Sequence, residues 1–457
     1  MNPSLRFYRS IFIPLLWLSF PLIVTGVIES SISFFSTFFL AQLGEQSIAA
    51  GALVNWVFAT LMVVMWGALT AVSVVVAQKH GEKNKLAVSE VLKDGLILGW
   101  LLVIPSILII WNMAPILILF GQSPALVALA QSYFHALAWG IIPDFTMLVL
   151  LQFLIGLGHT RVSMLFIMFW VPVAIVCNYI LIFGLLGFPA LGIAGIGWGM
   201  TASYWATASF LLTYLCIQPD YREYLRVVIS CERFRHIKDL LQIGLPMGAM
   251  YCVEVGFFLA LSLFMGMQGE SQLAANQIVL QFLGLIIAVV FSIAQAVTVR
   301  MSHLIGEGKM IEADKTSLAG IFISFSFILL VAVCYWVFPH VIIGFDLNLS
   351  DPNNQQVIAY ATQFLAIAAI FQLLESIRIT LFGSLRALKE THFTLFTSII
   401  SLWLIALPLG YFLAKTSLGA IGLWYGLILG ATCSAILLRW RYKIKIKHYL
   451  VAEKQHD

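Results

Sequence analysis

The chain has 457 residues, 61% of them hydrophobic and only 10% charged, with a mean hydropathy of +0.98. Soluble domains carry about 25% charged residues, so this composition excludes them and describes a polytopic membrane protein. The net charge of +4 is too small and too dispersed to imply nucleic acid as a partner.

Apolar runs able to cross the ~30 Å of a bilayer core fall at 12–42, 48–78, 95–120, 124–155, 163–187, 190–217, 240–268, 272–304, 316–345, 355–385, 393–414 and 417–440. The expectation is an all-α integral membrane protein of twelve transmembrane helices. Arg6 and Arg9 ahead of the first run imitate a signal peptide, but no small-residue cleavage site follows and the run continues past Pro21 to Leu43. It reads as a retained first helix. The six cysteines (Cys177, Cys216, Cys231, Cys252, Cys334, Cys433) lack metal-ligand or CxxC spacing, and no disulfide framework is expected.

The connectors alternate in charge. The N-terminus, 79–94, 159–161, 220–239, 300–315, 386–389 and the tail hold Lys and Arg, among them Arg161, Arg233, Arg300, Arg386 and Arg441. The intervening set holds Glu45, Glu270, Asp346 and Asp351, with Lys415 its one base. The positive-inside rule then places both termini in the cytoplasm and Lys415 outside.

A shift of 225 residues lays Pro246 on Pro21, Glu254 on Glu29, Gly269-Glu270 on Gly44-Glu45, Ala274-Ala275 on Ala49-Ala50 and Gly306-Glu307 on Gly81-Glu82. Later, Asp144 falls on Glu375 at a shift of 231, and Leu191–Gly195 resembles Leu418–Gly422 at 227. Such a register marks a duplicated chain whose loops have drifted. We expect an N-terminal lobe at 1–219 (helices 1–6), a cytoplasmic linker at 220–239, and a C-terminal lobe with a basic tail at 240–457. Six helices per lobe is an even number, so the pseudo-symmetric lobes share one orientation, about an axis along the membrane normal.

Four acids lie inside spans: Glu29 and Glu254 on helices 1 and 7, Asp144 and Glu375 on helices 4 and 10. Lipid cannot solvate such groups, so each faces the bundle interior or a watery cavity and is a candidate for exchanging a proton or cation. The bland alternative is a neutral, hydrogen-bonded acid that joins helices. Arg378 follows Glu375 by three residues, on the same helical face, so a structural ion pair competes there. Asn178, Asn276, Gln277 and Gln281 are candidate polar contacts for a ligand, although amides also join membrane helices. Phe35, Trp66, Phe257, Phe258 and Phe282 are candidates for an aromatic binding wall, with core packing as the alternative. Gly195 and Gly199 form a GxxxG read as close helix packing. No HExxH, GxSxG or GxxxxGK[ST] occurs, which argues against an enzyme and against an ATP-driven pump.

Gly244-Leu245-Pro246 with Glu254, Ala274–Val279, Gly306-Glu307, Glu375 with Gly383–Arg386, and Pro189–Gly195 together resemble the multidrug and toxic compound extrusion (MATE) family, in its NorM-type bacterial branch. The resemblance covers nearly the whole chain. It implies a V-shaped pair of lobes that rock between outward- and inward-open states and export organic cations against H⁺ or Na⁺. It also implies a bacterial inner-membrane location, no cofactor and a monomer in the lipid bilayer. The family's helix-7 and helix-10 acids map to Glu254 and Glu375, and its fifth-helix Asn to Asn178. Where many bacterial members carry an Asp in helix 1, this chain has Ser36 before Thr37, which moves the expected coupling site to the C-terminal half. Three rivals differ in their requirements. A major facilitator transporter wants a G-x-x-x-D-R-like turn where His80–Asn84 stands. A lipid or polysaccharide-precursor flippase wants extra spans or a basic cavity, and a membrane-embedded enzyme wants a metal or nucleophile motif.

Overall fold

The computed structural model describes residues 11–230 and 234–454; Arg6, Arg9, Cys231 and Arg233 lie outside the described residues. Its helices are α1 (Ile13–Gln42), α2 (Glu45–Leu69), α3 (Ala71–Gly81), α4 (Lys85–Trp111), α5 (Met113–Leu119), α6 (Pro124–Ala138), α7 (Ile141–Gly156), α8 (Thr160–Phe183), α9 (Ile193–Ile217) and α10 (Pro219–Ser230). The second half supplies α11 (Ile237–Gly266), α12 (Glu270–Gly306), α13 (Met310–Val337), α14 (Pro339–Ile343), α15 (Gln355–Ala387), α16 (Thr391–Ser398), α17 (Leu407–Ala414) and α18 (Ile421–Lys454).

Among the described residues, ten spans are each long and apolar enough to cross a membrane, and the bent pair α6–α7 makes an eleventh. The twelfth is α9, whose 25 residues suffice in length although Gly, Ser and Thr dilute its hydropathy. Twelve membrane helices are thus present among the described residues, as the apolar runs predict. The duplication is written in the helix ends. Glu45–Gly81 and Glu270–Gly306 correspond at both ends with a shift of 225, and Lys85 and Met310 open the next spans at the same shift. Pro124–Gly156 and Gln355–Ala387 correspond at 231, as do Thr160–Phe183 and Thr391–Ala414. The turns repeat too: Gly192 (φ 55) and Gly419 (φ 53) adopt the left-handed backbone ahead of the last span of each half.

The halves differ in where their spans break. Pro143 removes a helical hydrogen bond to the carbonyl four residues earlier and crowds it; α6 and α7 part at Trp139-Gly140 with a 49° bend. The equivalent of Pro143 is Leu374, and α15 runs unbroken. In turn, the second half has a π-helical stretch, Ile399–Ala406, between α16 and α17, where the equivalent span α8 is α-helical throughout.

The chain condenses into two compact units, Val24–Gly248 and Met1–Ile23 with Ala249–Asp457. The unit boundaries fall inside α1 and α11, at positions that are repeat twins, not in the 220–239 connector expected to part the lobes. In the first unit the start of α11 lies backbone to backbone on α2: a Cβ on Gly244 or Gly248 would stand 2.2 or 2.1 Å from the carbonyl oxygen of Ala68 or Val64. In the other unit the start of α1 buries Leu15, Ser19 and Leu22, and Ser292 Oγ on α12 donates to the Leu22 carbonyl at 3.1 Å. The connector itself is no free tether. Its amphipathic sequence forms α10, which buries Tyr221 and Tyr224 in the first unit. Lys85 Nζ reaches Glu223 at 2.7 Å, and the His236 backbone N–H donates to Asp94 at 2.7 Å.

Candidate functional site: buried carboxylates in each unit

In the unit holding Ala249–Asp457, three ionisable side chains meet in mid-span. Glu254 comes from α11; Glu375 and Arg378 stand one turn apart on α15. Arg378 Nη1 donates to Glu254 Oε1 at 2.8 Å and Arg378 Nε to Glu375 Oε2 at 2.8 Å, while Nη2 also bonds Glu375 Oε1. The guanidinium lies 4.6 Å over the Phe382 ring, and Arg378 is only 2% exposed. Glu254 and Glu375 are buried as well. The planar fork is what lets one Arg hold two carboxylates from two helices, a task an ammonium performs poorly. With both acids ionised the trio carries one net negative charge. The π-helical stretch helps to fix it: Trp403 Nε1 donates to the Val253 carbonyl at 3.0 Å, beside Glu254. Such extra-wide turns are common at functional sites.

The other candidates in this unit make their contacts apart from the trio. Asn276 is fully buried and neither of its amide atoms has a hydrogen-bond partner among the described residues. Gln277 Nε2 approaches Ser262 Oγ, and Gln281 Nε2 approaches Asp346 Oδ1, each at 3.5 Å, the long limit of a hydrogen bond. Phe258 and Phe282 are half-buried against the apolar core. Phe257 is a correction to the aromatic wall: it is 0% exposed, edge-on to Phe258 at 5.5 Å, and packs in the core because its side of α11 faces the bundle.

In the unit Val24–Gly248, the twin acids have a different setting. Trp66 Nε1 donates to Asp144 Oδ2 at 2.9 Å, a hydrogen-bonding role beyond that of an aromatic wall. Glu29 lies mid-span, solvent-accessible, and interacts electrostatically with Asp144; Tyr204 interacts with both and stacks on Trp170 at 5.3 Å between centroids. Neither acid has an ion-pair partner among the described residues. Asn178 is buried with its Oδ1 unpartnered, wedged against α9 where a Cβ on Gly199 would stand 2.3 Å from that oxygen. Gly195 likewise meets the backbone of Leu181 and Ile182, so the GxxxG serves close packing of α8 on α9. Ser36 is buried and Phe35 is partly exposed among Phe34 and Phe39.

Spacing along one helix foretells the Glu375–Arg378 pair, but nothing in the sequence announces the bond to Glu254, 124 residues away. Arg386 was also unforeseen as a buried group; its Nε and Nη2 donate to Thr298 Oγ1 at 3.1 and 2.9 Å. Its position at the end of a basic connector hid it.

Twelve apolar helices in a duplicated six-helix plan, with carboxylates at equivalent mid-span positions of the two halves, define a polytopic membrane transporter. The family model described as MatE matches residues 21–180 and 246–412, and the chain belongs to that family. It is 32% identical to the Pseudomonas aeruginosa protein named "Probable multidrug resistance protein NorM" over 98% of this chain and 92% of that one. It is 31% identical to the Burkholderia vietnamiensis "Multidrug resistance protein NorM" over 96% and 95% of the two chains. Its fold is similar to a MATE transporter solved in a bent conformation (TM-score 0.88, 20% identity, 99% and 100% of the chains). The eukaryotic MATE transporter AtDTX14 is similar in fold as well (TM-score 0.81, 17% identity, 98% and 99%).

Proposed function

We propose that the protein is a secondary multidrug efflux antiporter that exports organic, mostly cationic, compounds in exchange for H⁺ or Na⁺. It would work as a monomer of two lobes in a bacterial plasma membrane, with both termini cytoplasmic. Family membership and relatives named as multidrug resistance proteins support the class; the alternation of basic connectors supports the orientation. The observation that carries the coupling site is the Arg378 bridge between Glu254 and Glu375.

The trio stores one net negative charge in a buried place, where a charge without its counter-ion is costly. A proton or Na⁺ entering from outside neutralises that charge. On Glu254 it also weakens the bond from Arg378 Nη1, loosening the tie between α11 and α15. A cationic drug arriving from inside competes for the same charge. Exchange follows when neither the empty crossing nor double occupancy is favoured. One net charge moved inward per cycle at about 100 mV supplies about 2.3 kcal/mol, against about 1.4 kcal/mol per tenfold ratio, enough for roughly a fifty-fold drug gradient. Glu29 and Asp144, two acids without a base, give the other unit a second place able to take up a cation.

The test is dye efflux in vesicles with ΔpH and ΔNa⁺ imposed separately. Efflux driven by one gradient identifies the coupling ion. Full transport by a normally expressed Glu254→Gln protein across external pH would sink the coupling site, and no dye movement under either gradient would overturn antiport.

A further inference from the structure

The last helix, α18, carries two basic faces with opposite fates. Arg441 and Lys445, one turn apart, both serve Glu390: Arg441 donates through Nε and Nη2 at 3.1 and 2.8 Å, and Lys445 pairs with the other carboxylate oxygen. Arg439 and Lys443 are also one turn apart, but two residues out of phase, about 200° around the helix. Neither has an ion-pair partner among the described residues, and Nη1 of Arg439 is buried with no hydrogen-bond partner. The Tyr442 hydroxyl goes to Asp314 at 3.0 Å, and the Tyr442 ring lies 5.7 Å from the Arg439 guanidinium.

Arg439 and Lys443 instead head a groove of about 600 Å³ between α13, α15 and α18, walled by Ile321, Ile377 and Ile436, with Trp440 at the basic end. Two unpaired cations and an indole above apolar walls, where a membrane helix meets water, match an amphiphile with an anionic head. We propose that this groove binds one anionic phospholipid from the leaflet nearest the C-terminus. The phosphate sits on Arg439 and Lys443, and an acyl chain lies on the isoleucine walls. An exported organic cation does not fit there, since the same two charges repel it. None of Glu254, Glu375 and Arg378 lines the groove, and neither reading depends on the other.

Native mass spectrometry of the full chain, offered phosphatidylglycerol and phosphatidylcholine in equal amounts, tests this directly. One phosphatidylglycerol should be retained at least tenfold over the neutral lipid. Arg439→Gln with Lys443→Gln should weaken retention roughly thirtyfold, and the exposed Lys443→Gln alone, which leaves folding undisturbed, about fivefold. Ile377→Trp, which keeps both charges but fills the groove, should also release the lipid. Equal retention of the two lipids overturns the proposal. So does undiminished retention by the Lys443→Gln protein, or displacement by soluble glycerol phosphate as readily as by phosphatidylglycerol, which would mark a site for the head alone.

Discussion

Asp144 and Glu375 are the same position in two copies of one ancestral half, yet they answer different electrostatic problems. Glu375 shares an unbroken α15 with Arg378, whose guanidinium also takes Glu254. The twin of Arg378 is Met147, so Asp144 has no base to lean on and accepts the neutral indole N–H of Trp66 instead. The twin of Trp66 is Phe291, which has no donor to give. Trp66 and Asp144 each sit about one turn from a helix break, at Thr70 and at Trp139-Gly140, whereas the equivalent stretches of α12 and α15 are continuous. One copy thus became charge-compensated and straight, the other uncompensated and kinked. A duplicated fold fixes where an acid stands; single substitutions around it decide whether it is an ion-pair partner or a lone acid.

Removing the charge from the compensated copy should have the largest effect. Glu254→Gln or Glu375→Gln should reach the membrane and lose gradient-driven efflux, measured in vesicles. If Glu375 serves only to hold Arg378, Glu375→Gln lowers folded yield instead, and adding Arg378→Gln partly restores it. The next change gives the second copy the first copy's residue. Arg378→Met leaves two acids without their cation and should cost about 3–5 kcal/mol of stability, read as a lowered midpoint of thermal unfolding. An unchanged midpoint would mean that compensation does not distinguish the copies. Trp66→Phe makes the reverse exchange and strands Asp144 without its donor, a loss of about 1–3 kcal/mol; no loss would leave the indole bond without weight.

The smallest difference lies outside the membrane, at the twins His159 and Glu390. Partial desolvation pushes the His159 imidazole below its usual range, against a weaker upward pull from Asp220. Burial raises Glu390, but hydrogen bonds from Lys445 and Arg441 outweigh it and hold the carboxyl below the usual range. Both folded values are depressed, so both contributions are full at high pH and are lost on acidification, in different windows. The His159 part declines as pH falls below about 6.5, and the Glu390 part only below about 4.3. Thermal unfolding across pH should lose the first slope in His159→Gln and the second in Glu390→Gln; identical profiles would erase the distinction.

Most of the helical plan was legible because its signals are local or periodic: apolar runs of span length, and a 225-residue register that the helix ends reproduce to the residue. The four acids were legible because charge inside a span is conspicuous. What escaped were relations set by packing. Arg378 reads as the partner of Glu375 at three residues' spacing, while its second bond crosses to another helix. Trp66 reads as bulk, since an aromatic in hydrocarbon gives no hint that its N–H has an acceptor 78 residues on. Phe257 reads as wall, because a membrane helix apolar all round conceals which side meets the core. The unit boundary was hidden inside two continuous apolar spans, where composition does not change.

That boundary has a consequence for how the protein is made. The segment up to Ile23 leaves the ribosome first, yet the surface that buries Leu15, Ser19 and Leu22 belongs to residues from Ala249 onward. At roughly 5–20 residues per second, about 10–45 s of synthesis separate the two. Meanwhile the newborn helix must wait in the lipid with half its length unmatched, and the first six spans, released alone, would lack the α11 stretch that closes on Ala68 and Val64. Neither half is a finished object when its own six helices are complete. A chain severed in the 220–239 connector should therefore assemble only when both fragments are inserted together.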